Sequence, residues 1–219
     1  MLTQTIVRSA PMTDTNAPLP AADRAIALIK DEHRALACVL GAMQAWISRV
    51  RDAGGDRNFE LFDAMLRYIE NVPDRLHHPK EDQVLFPALM RNAPAALQLI
   101  DRLERDHAHG EPMIAALRGA FHAFTFDAVN GLNQLATAVD DFAEFYWDHM
   151  RTEEKQLLPL ALVHLTADDW QRVASAFGDN TDPLFGAALA DEYRELYRCI
   201  IELTPAPLKY YLEGAAPTA

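Results

Sequence analysis

Apolar residues recur at alternating steps of three and four along the first part of the chain: Ile26, Ile29, Leu36, Leu40, Met43, Ile47 and Val50, with His33 seated in the same series. That spacing keeps one stripe of an α-helix apolar over its whole length and predicts a long buried seam. The run stops at Gly54-Gly55-Asp56, a natural helix C-cap and turn. Moving the series on by 74 residues gives Ile100, Leu103, His107, Gly110, Ile114, Leu117, Phe121 and Phe124. Every position is again apolar or small except the histidine, so His107 repeats His33. The pattern is helical almost throughout from Ala21 to about Leu165.

Two further segments also repeat, at an offset of 72: His77-His78-Pro79-Lys80-Glu81-Asp82-Gln83-Val84-Leu85-Phe86-Pro87 and His149-Met150-Arg151-Thr152-Glu153-Glu154-Lys155-Gln156-Leu157-Leu158-Pro159. Duplication of a helix pair, with a small change in loop length, explains both offsets. Four long helices joined by short connections predict an all-α fold, an up-down-up-down antiparallel four-helix bundle spanning residues 21–165. Residues 1–20, with Pro11, Pro18 and Pro20 among Thr, Asp and Asn, read as a disordered leader.

Each repeated segment places a histidine four residues before a glutamate, which puts an imidazole and a carboxylate about one helical turn apart on one face. A lone histidine on an apolar seam is usually a hydrogen-bonded core residue, and a lone His/Glu pair is usually a surface pair. Two of each in duplicated positions point instead to one shared site in the core, because burying so many polar groups without a metal demands that every one be paired. The candidate ligands are His33, His77, Glu81, His107, His149 and Glu153. His78 and Asp82 form a competing pair one residue along, but only His77 and Glu81 keep the distance to Pro87 that His149 and Glu153 keep to Pro159. Four imidazoles and two carboxylates suit a pair of first-row transition metals, with iron the leading choice. If both glutamates bridge, each ion receives two nitrogens and two oxygens. A six-coordinate ion then keeps two positions for water, oxide, dioxygen or another small ligand.

These residues resemble the hemerythrin-like family, the HHE cation-binding domains. The resemblance covers residues 22–165 and rests on Asp31-Glu32-His33, His77-His78-x-x-Glu81-Asp82-x-x-Leu85-Phe86-Pro87, Asp106-His107 and His149-x-x-x-Glu153-Glu154-x-x-Leu157-x-Pro159. It implies a non-haem di-iron centre, with Fe2+ and Fe3+ forms, in a four-helix bundle. Members of the family use such centres to bind dioxygen reversibly, to sense oxygen or iron, or to respond to nitric oxide and oxidative stress. Oxygen carriers have a second histidine four residues before the one on the third helix, where this chain has Leu103. They end on an aspartate five residues after the last histidine, whereas Glu153 follows His149 by four. The chain therefore resembles the symmetric branch more than the oxygen carriers, which favours redox chemistry over clean oxygen storage.

Charge narrows the partners. A net charge of −12 with no basic patch argues against nucleic acid and against an anionic membrane surface. No spanning helix or secretion signal is evident, so a cytoplasmic protein is expected, with Cys38 and Cys199 as reduced thiols. Beyond Leu165 the pattern changes. Thr166-Ala167-Asp168-Asp169 resembles a helix start, followed by Trp170, Val173 and Phe177 on one side and a stop at Gly178. A second short helix is expected from Ala187 to about Leu203, with Leu189, Tyr193, Leu196, Tyr197 and Ile200 as its stripe, ended by Pro205 and Pro207. The extension over residues 166–219 covers the bundle or forms a homodimer contact.

The remaining polar residues have quieter expectations. His109 is expected to be exposed, and His122 and His164 have no partner spacing. Glu32 and Asp106 read by default as solvated carboxylates, with orientation of an imidazole through its second nitrogen as the lesser alternative; Tyr146 and Trp147 read as packing residues ahead of a hydrogen bond to the site or electron transfer. Pro79, with Pro73, should bend the second helix beside the ligands. Three functional classes fit: a di-iron protein that binds dioxygen, nitric oxide or a related small molecule for sensing, storage or stress response; a redox enzyme consuming peroxide or nitric oxide; and a helical interaction module with a structural metal.

Overall fold

A computed structural model describes residues 20–53, 57–178 and 194–203. The expected leader, the Gly54-Gly55-Asp56 turn, the stretch before Arg194 and the closing prolines lie outside the described residues. The described residues are helical apart from short connections. Helix α1 is Ala21–Ala53, α2 occupies 59–92, α3 is Leu97–Phe126, and α4 occupies 128–164. Helices α5 (Ala167–Gly178) and α6 (Arg194–Leu203) follow. Asn58 caps α2, its side-chain oxygen accepting from the Leu61 N–H at 2.9 Å, and Asp127 caps α4 by accepting from Val129 and Asn130. Gly131 is required at the α3–α4 corner, because a Cβ there would lie 2.5 Å from the Phe124 Cα.

The core comes in two apolar clusters separated by a polar layer. One holds Leu40, Met43, Phe62, Leu66, Leu117, Phe124, Phe142 and their neighbours. The other holds Ile29, Leu85, Phe86, Leu103, Leu157, Leu158 and Phe177. Along α1 the chain leaves the second cluster at Ile29, passes His33 and enters the first at Leu36; along α2 it goes from Val72 past His77 and Glu81 to Leu85. α3 repeats the first passage and α4 the second, so successive helices traverse the polar layer in opposite directions. The eight-residue seam expected on α3 is buried throughout, save that His107 keeps slight exposure. α1 buries more than its seam, including Ala25, Cys38, Val39 and Ala42, because α5 and α6 pack against it as well.

Helices α2 and α4 contain widened, π-type turns at Pro73–His77, Glu81–Leu85 and Glu153–Leu157. In each, the N–H that closes the turn belongs to His78, Phe86 or Leu158 and reaches a carbonyl five residues back, on Pro73, Glu81 or Glu153. Each of those three donors immediately precedes a proline: Pro79, Pro87 or Pro159. A proline ring crowds the carbonyl four residues back and offers it no hydrogen, and one extra residue in the turn relieves that crowding. The expected disturbance of α2 at Pro79 thus takes the form of widened turns on both sides of the proline. Proline alone does not specify them, since Pro112 sits in α3 within an unbroken α-helix.

Helix α5 starts as its sequence suggests. The Thr166 N–H and hydroxyl donate to Asp169 Oδ2 at 3.1 and 2.6 Å, and the Asp169 N–H donates back to Thr166 Oγ at 3.2 Å. Asn92, at the end of α2, also donates to Asp169 Oδ2 at 3.1 Å, and Arg172 pairs with its other oxygen. The Thr166 hydrogen bonds outweigh burial and, with Arg172, lower the Asp169 carboxyl from 3.8 to about 2. Because the folded value lies below the unfolded one, this stabilisation is whole above pH 3.8 and is lost as pH falls through 2. Asp169→Ala is expected to cost about 1–2 kcal/mol near neutrality. Urea unfolding of the two proteins should show that deficit shrinking as the pH is lowered through this range.

Candidate metal centre

All six candidate ligands lie in the polar layer. Helix α1 supplies His33, α2 His77 and Glu81, α3 His107, and α4 His149 and Glu153. Glu81 and Glu153 are fully buried and each opens a widened turn; His33, His77 and His149 are buried as well. The His33 Nε2 lies 3.2 Å from the His77 Nε2 and 3.1 Å from Glu153 Oε2. His77 Nε2 lies 3.5 Å from Glu81 Oε2. On the other side, His107 Nε2 is 3.5 Å from Glu81 Oε2 and 3.8 Å from Glu153 Oε1, and His149 Nε2 is 3.2 Å from Glu153 Oε1.

These atoms form two groups with two members in common. His33, His77, Glu81 and Glu153 each bring one donor atom to within 4.8 Å of the others, and so do Glu81, His107, His149 and Glu153. Bonds of ~2.1 Å meeting at a right angle leave ~3 Å between donor atoms, so such spacings fit ligands arranged around one ion. Among the described residues, both oxygens of Glu81, both of Glu153, the Nε2 atoms of His107 and His149 and the Nδ1 of His149 are buried with no hydrogen-bond partner. Orphaned donor atoms facing one small volume are what a cation would satisfy. The donor set, imidazole nitrogen with carboxylate oxygen, suits iron or a neighbouring first-row metal.

Over residues 24–161 the chain matches the family model described as the hemerythrin HHE cation binding domain. The chain belongs to that family. No curated protein and no solved structure matches the chain. Membership agrees with the resemblance seen in the sequence and makes this HHE domain a metal-binding helical protein. Among the described residues no helix is long and apolar enough to cross a membrane.

The electrostatics of the HHE site follow from two carboxylates buried side by side. Burial and repulsion from Glu153 together push Glu81 well above the usual carboxylate range. Burial would raise Glu153 as well, but His149, His107 and His33 face it and hold it well below that range. Burial disfavours the charged form of His149, yet Glu153 and Asp106 push it up to about 9. The pair therefore competes for positive charge, and a dication between the two would relieve both.

Around the six lies a set of carboxylates that sequence reasoning placed differently. Glu32, expected in solvent, is buried and accepts from His77 Nδ1 at 2.7 Å. Asp82, set aside with His78 as the competing ligand pair, accepts from His107 Nδ1 at 2.8 Å. Glu154 accepts from His33 Nδ1 at 3.1 Å, and Asp106 faces His149 Nδ1 at 3.6 Å. An ionised carboxylate only accepts, so at His33, His77 and His107 a proton sits on Nδ1, and in the neutral ring the Nε2 lone pair is left facing the centre. The four links run from α1 to α2, α2 to α3, α3 to α4 and α4 back to α1. The available signal was position: Glu32 and Asp106 precede the seam histidines, and Asp82 and Glu154 follow the two glutamates.

Other candidates fall where expected or close to it. His109, His122 and His164 are exposed. Tyr146 is buried against Phe142 and Phe145, while Trp147 is half-buried. Neither Cys38 nor Cys199 is in a disulfide. His78 is buried and stacks on His107, with ring centroids 3.9 Å apart. Glu32→Gln keeps the shape of its side chain and removes the charge that holds His77, so metal affinity is expected to fall about 10–100-fold. Competition with a chelator of known affinity would measure it, with circular dichroism checking that the helices persist.

Proposed function

We propose that this is a non-haem di-iron protein that binds dioxygen, nitric oxide or a related small molecule, in sensing, storage or stress response. In this reading His33 and His77 would hold one ion and His107 and His149 the other, with Glu81 and Glu153 available to both. The single observation that carries it is the pair of four-residue groups that share the two glutamates. When bound, iron would supply one-electron exchange between ferrous and ferric forms and free positions for a small ligand.

The chain's own part is positioning and exclusion. Glu32, Asp82 and Glu154 fix the Nδ1 protons of His77, His107 and His33, so that the rings do not turn away from the centre. The two apolar clusters keep bulk water from the layer on either side. Leu103, fully buried in one cluster, stands where an oxygen carrier would place a further imidazole, so the ligand count stays at four nitrogens. That observation favours one second reading, in which the same centre consumes peroxide or nitric oxide using an external reductant. The absence of a basic patch in the acidic sequence fits a cytoplasmic protein whose working partner is a small molecule and not nucleic acid or membrane.

Elemental analysis of protein purified without oxygen from iron-replete cells is expected to give close to two irons per chain. Glu81→Ala and Glu153→Ala should each bind at most one ion tightly, because a bridge contacts both. His109→Ala should leave the metal content unchanged. Two tightly held irons in either glutamate variant would overturn the ligand assignment, and zinc alone in the wild type would return the site to a structural role.

A further inference from the structure

The duplication makes the two halves of the centre equivalent in sequence, yet their surroundings differ. We propose that exogenous small molecules reach the centre on the His107/His149 side, from a cavity between α2 and α3 whose inner wall is His78, while Phe177 and the Lys80–Glu32 pair close the His33/His77 side. The inference rests on the two-metal reading above.

The closed side is built by residues that the repeat does not share. Phe177, fully buried on α5, sets its ring edge-on to His77 with centroids 5.8 Å apart. Lys80 lies over the same ring, its Nζ 5.1 Å from the centroid, and donates to Glu32 at 2.8 Å. Glu32 in turn holds His77 at 2.7 Å. A buried carboxylate that carries both a lysine and an imidazole is a rigid plug, since moving any member strands a charge. In the second half the position of Lys80 is Thr152, whose hydroxyl turns back to the Asp148 carbonyl at 2.8 Å. Asp106 is left with a longer approach to His149, at 3.6 Å.

The open side shows the opposite. A cavity of about 920 Å³ lies against His78, Asp82 and His107, and none of His33, His77 or Glu32 lines it. Its outer wall is charged: Arg118 is held by Glu70 at 2.8 Å and Asp63 at 3.0 Å, and Arg75 donates to Asn71 at 3.1 Å. Such a lining solvates a small polar or anionic reactant, unlike an apolar tunnel. At its inner end the nitrogens of His78, His107 and His149 fall within 4.8 Å of one another, and His78 lines the cavity together with His107, on which it stacks, so the cavity reaches that half of the centre. The repeat places Met150 at the position of His78, buried in an apolar cluster, so this wall occurs in one half alone.

Azide binding to the oxidised di-iron protein, followed by the absorbance it develops on ferric iron, tests the route. Ala108 and Glu111 are exposed on α3 and line the cavity. Ala108→Trp and Glu111→Trp are expected to slow azide association by about tenfold or more while retaining two irons, and Phe177→Leu to change it by less than about twofold. The inference is overturned if both tryptophan variants, still loaded with two irons, bind azide at the wild-type rate. It is equally overturned if Phe177→Leu speeds binding tenfold, or if the loaded wild type does not take azide at all. Wild-type protein that retains no iron would sink the two-metal reading itself, an outcome seen in the metal content before azide is added.

Discussion

Everything in this fold is arranged around two carboxylates that cannot reach water. Glu81 and Glu153 lie side by side in the middle of a helical bundle, and the imidazoles facing them include His33, His77 and His107, whose outer nitrogens are already engaged by other carboxylates. Burying an uncompensated carboxylate costs several kcal/mol, and a second one nearby adds repulsion. The apolar clusters on either side supply the burial that holds the helices together, but they also deny the layer any solvent. Positive charge at the centre would therefore offset the cost of this packing, and any cation bound there stabilises the folded chain by linkage.

The backbone meets that constraint with a local irregularity. The two glutamates open widened turns, and the prolines six residues further on, Pro87 and Pro159, follow the end of those turns. A turn with one extra residue re-aims the side chains around it, and such turns concentrate where a helix must present a functional group. The third widened turn ends at His77, so three of the six candidate ligands sit at turn boundaries on the two helices that carry His/Glu pairs. His33 and His107, by contrast, project from regular helix, and their positions follow from the seam alone.

What could be read from the chain was whatever period and repetition encode. The seams of α1 and α3, the histidines within them and the two His/Glu pairs obey helical spacing, so their convergence follows from one dimension of information. Glu32 was misread because α1 buries a second face, under α5 and α6, and no local pattern announces a helix that returns from later in the chain. Asp82 and Glu154 were missed for a related reason: each serves a ring on a neighbouring helix, which spacing within one helix cannot reveal. The widened turns shift the register by a single residue, too little to disturb an apolar period. Phe177 was placed correctly on the stripe of α5, but its contact with His77 depends on where α5 lands.

The four carboxylate-to-imidazole links have a directional order, each helix reaching forward to the next and the last returning to the first. A closed cycle of this kind has no privileged starting point, so neither helix pair is complete alone: two of the four links, Asp82 to His107 and Glu154 to His33, cross from one half to the other. One helix pair by itself could complete such a cycle only as a symmetric dimer, whereas in a single chain one half carries Lys80 and His78 where the other carries Thr152 and Met150. Covalent continuity is thus what allows a symmetric core to keep unequal surroundings, since a dimer of identical helix pairs would have to repeat every residue on both sides.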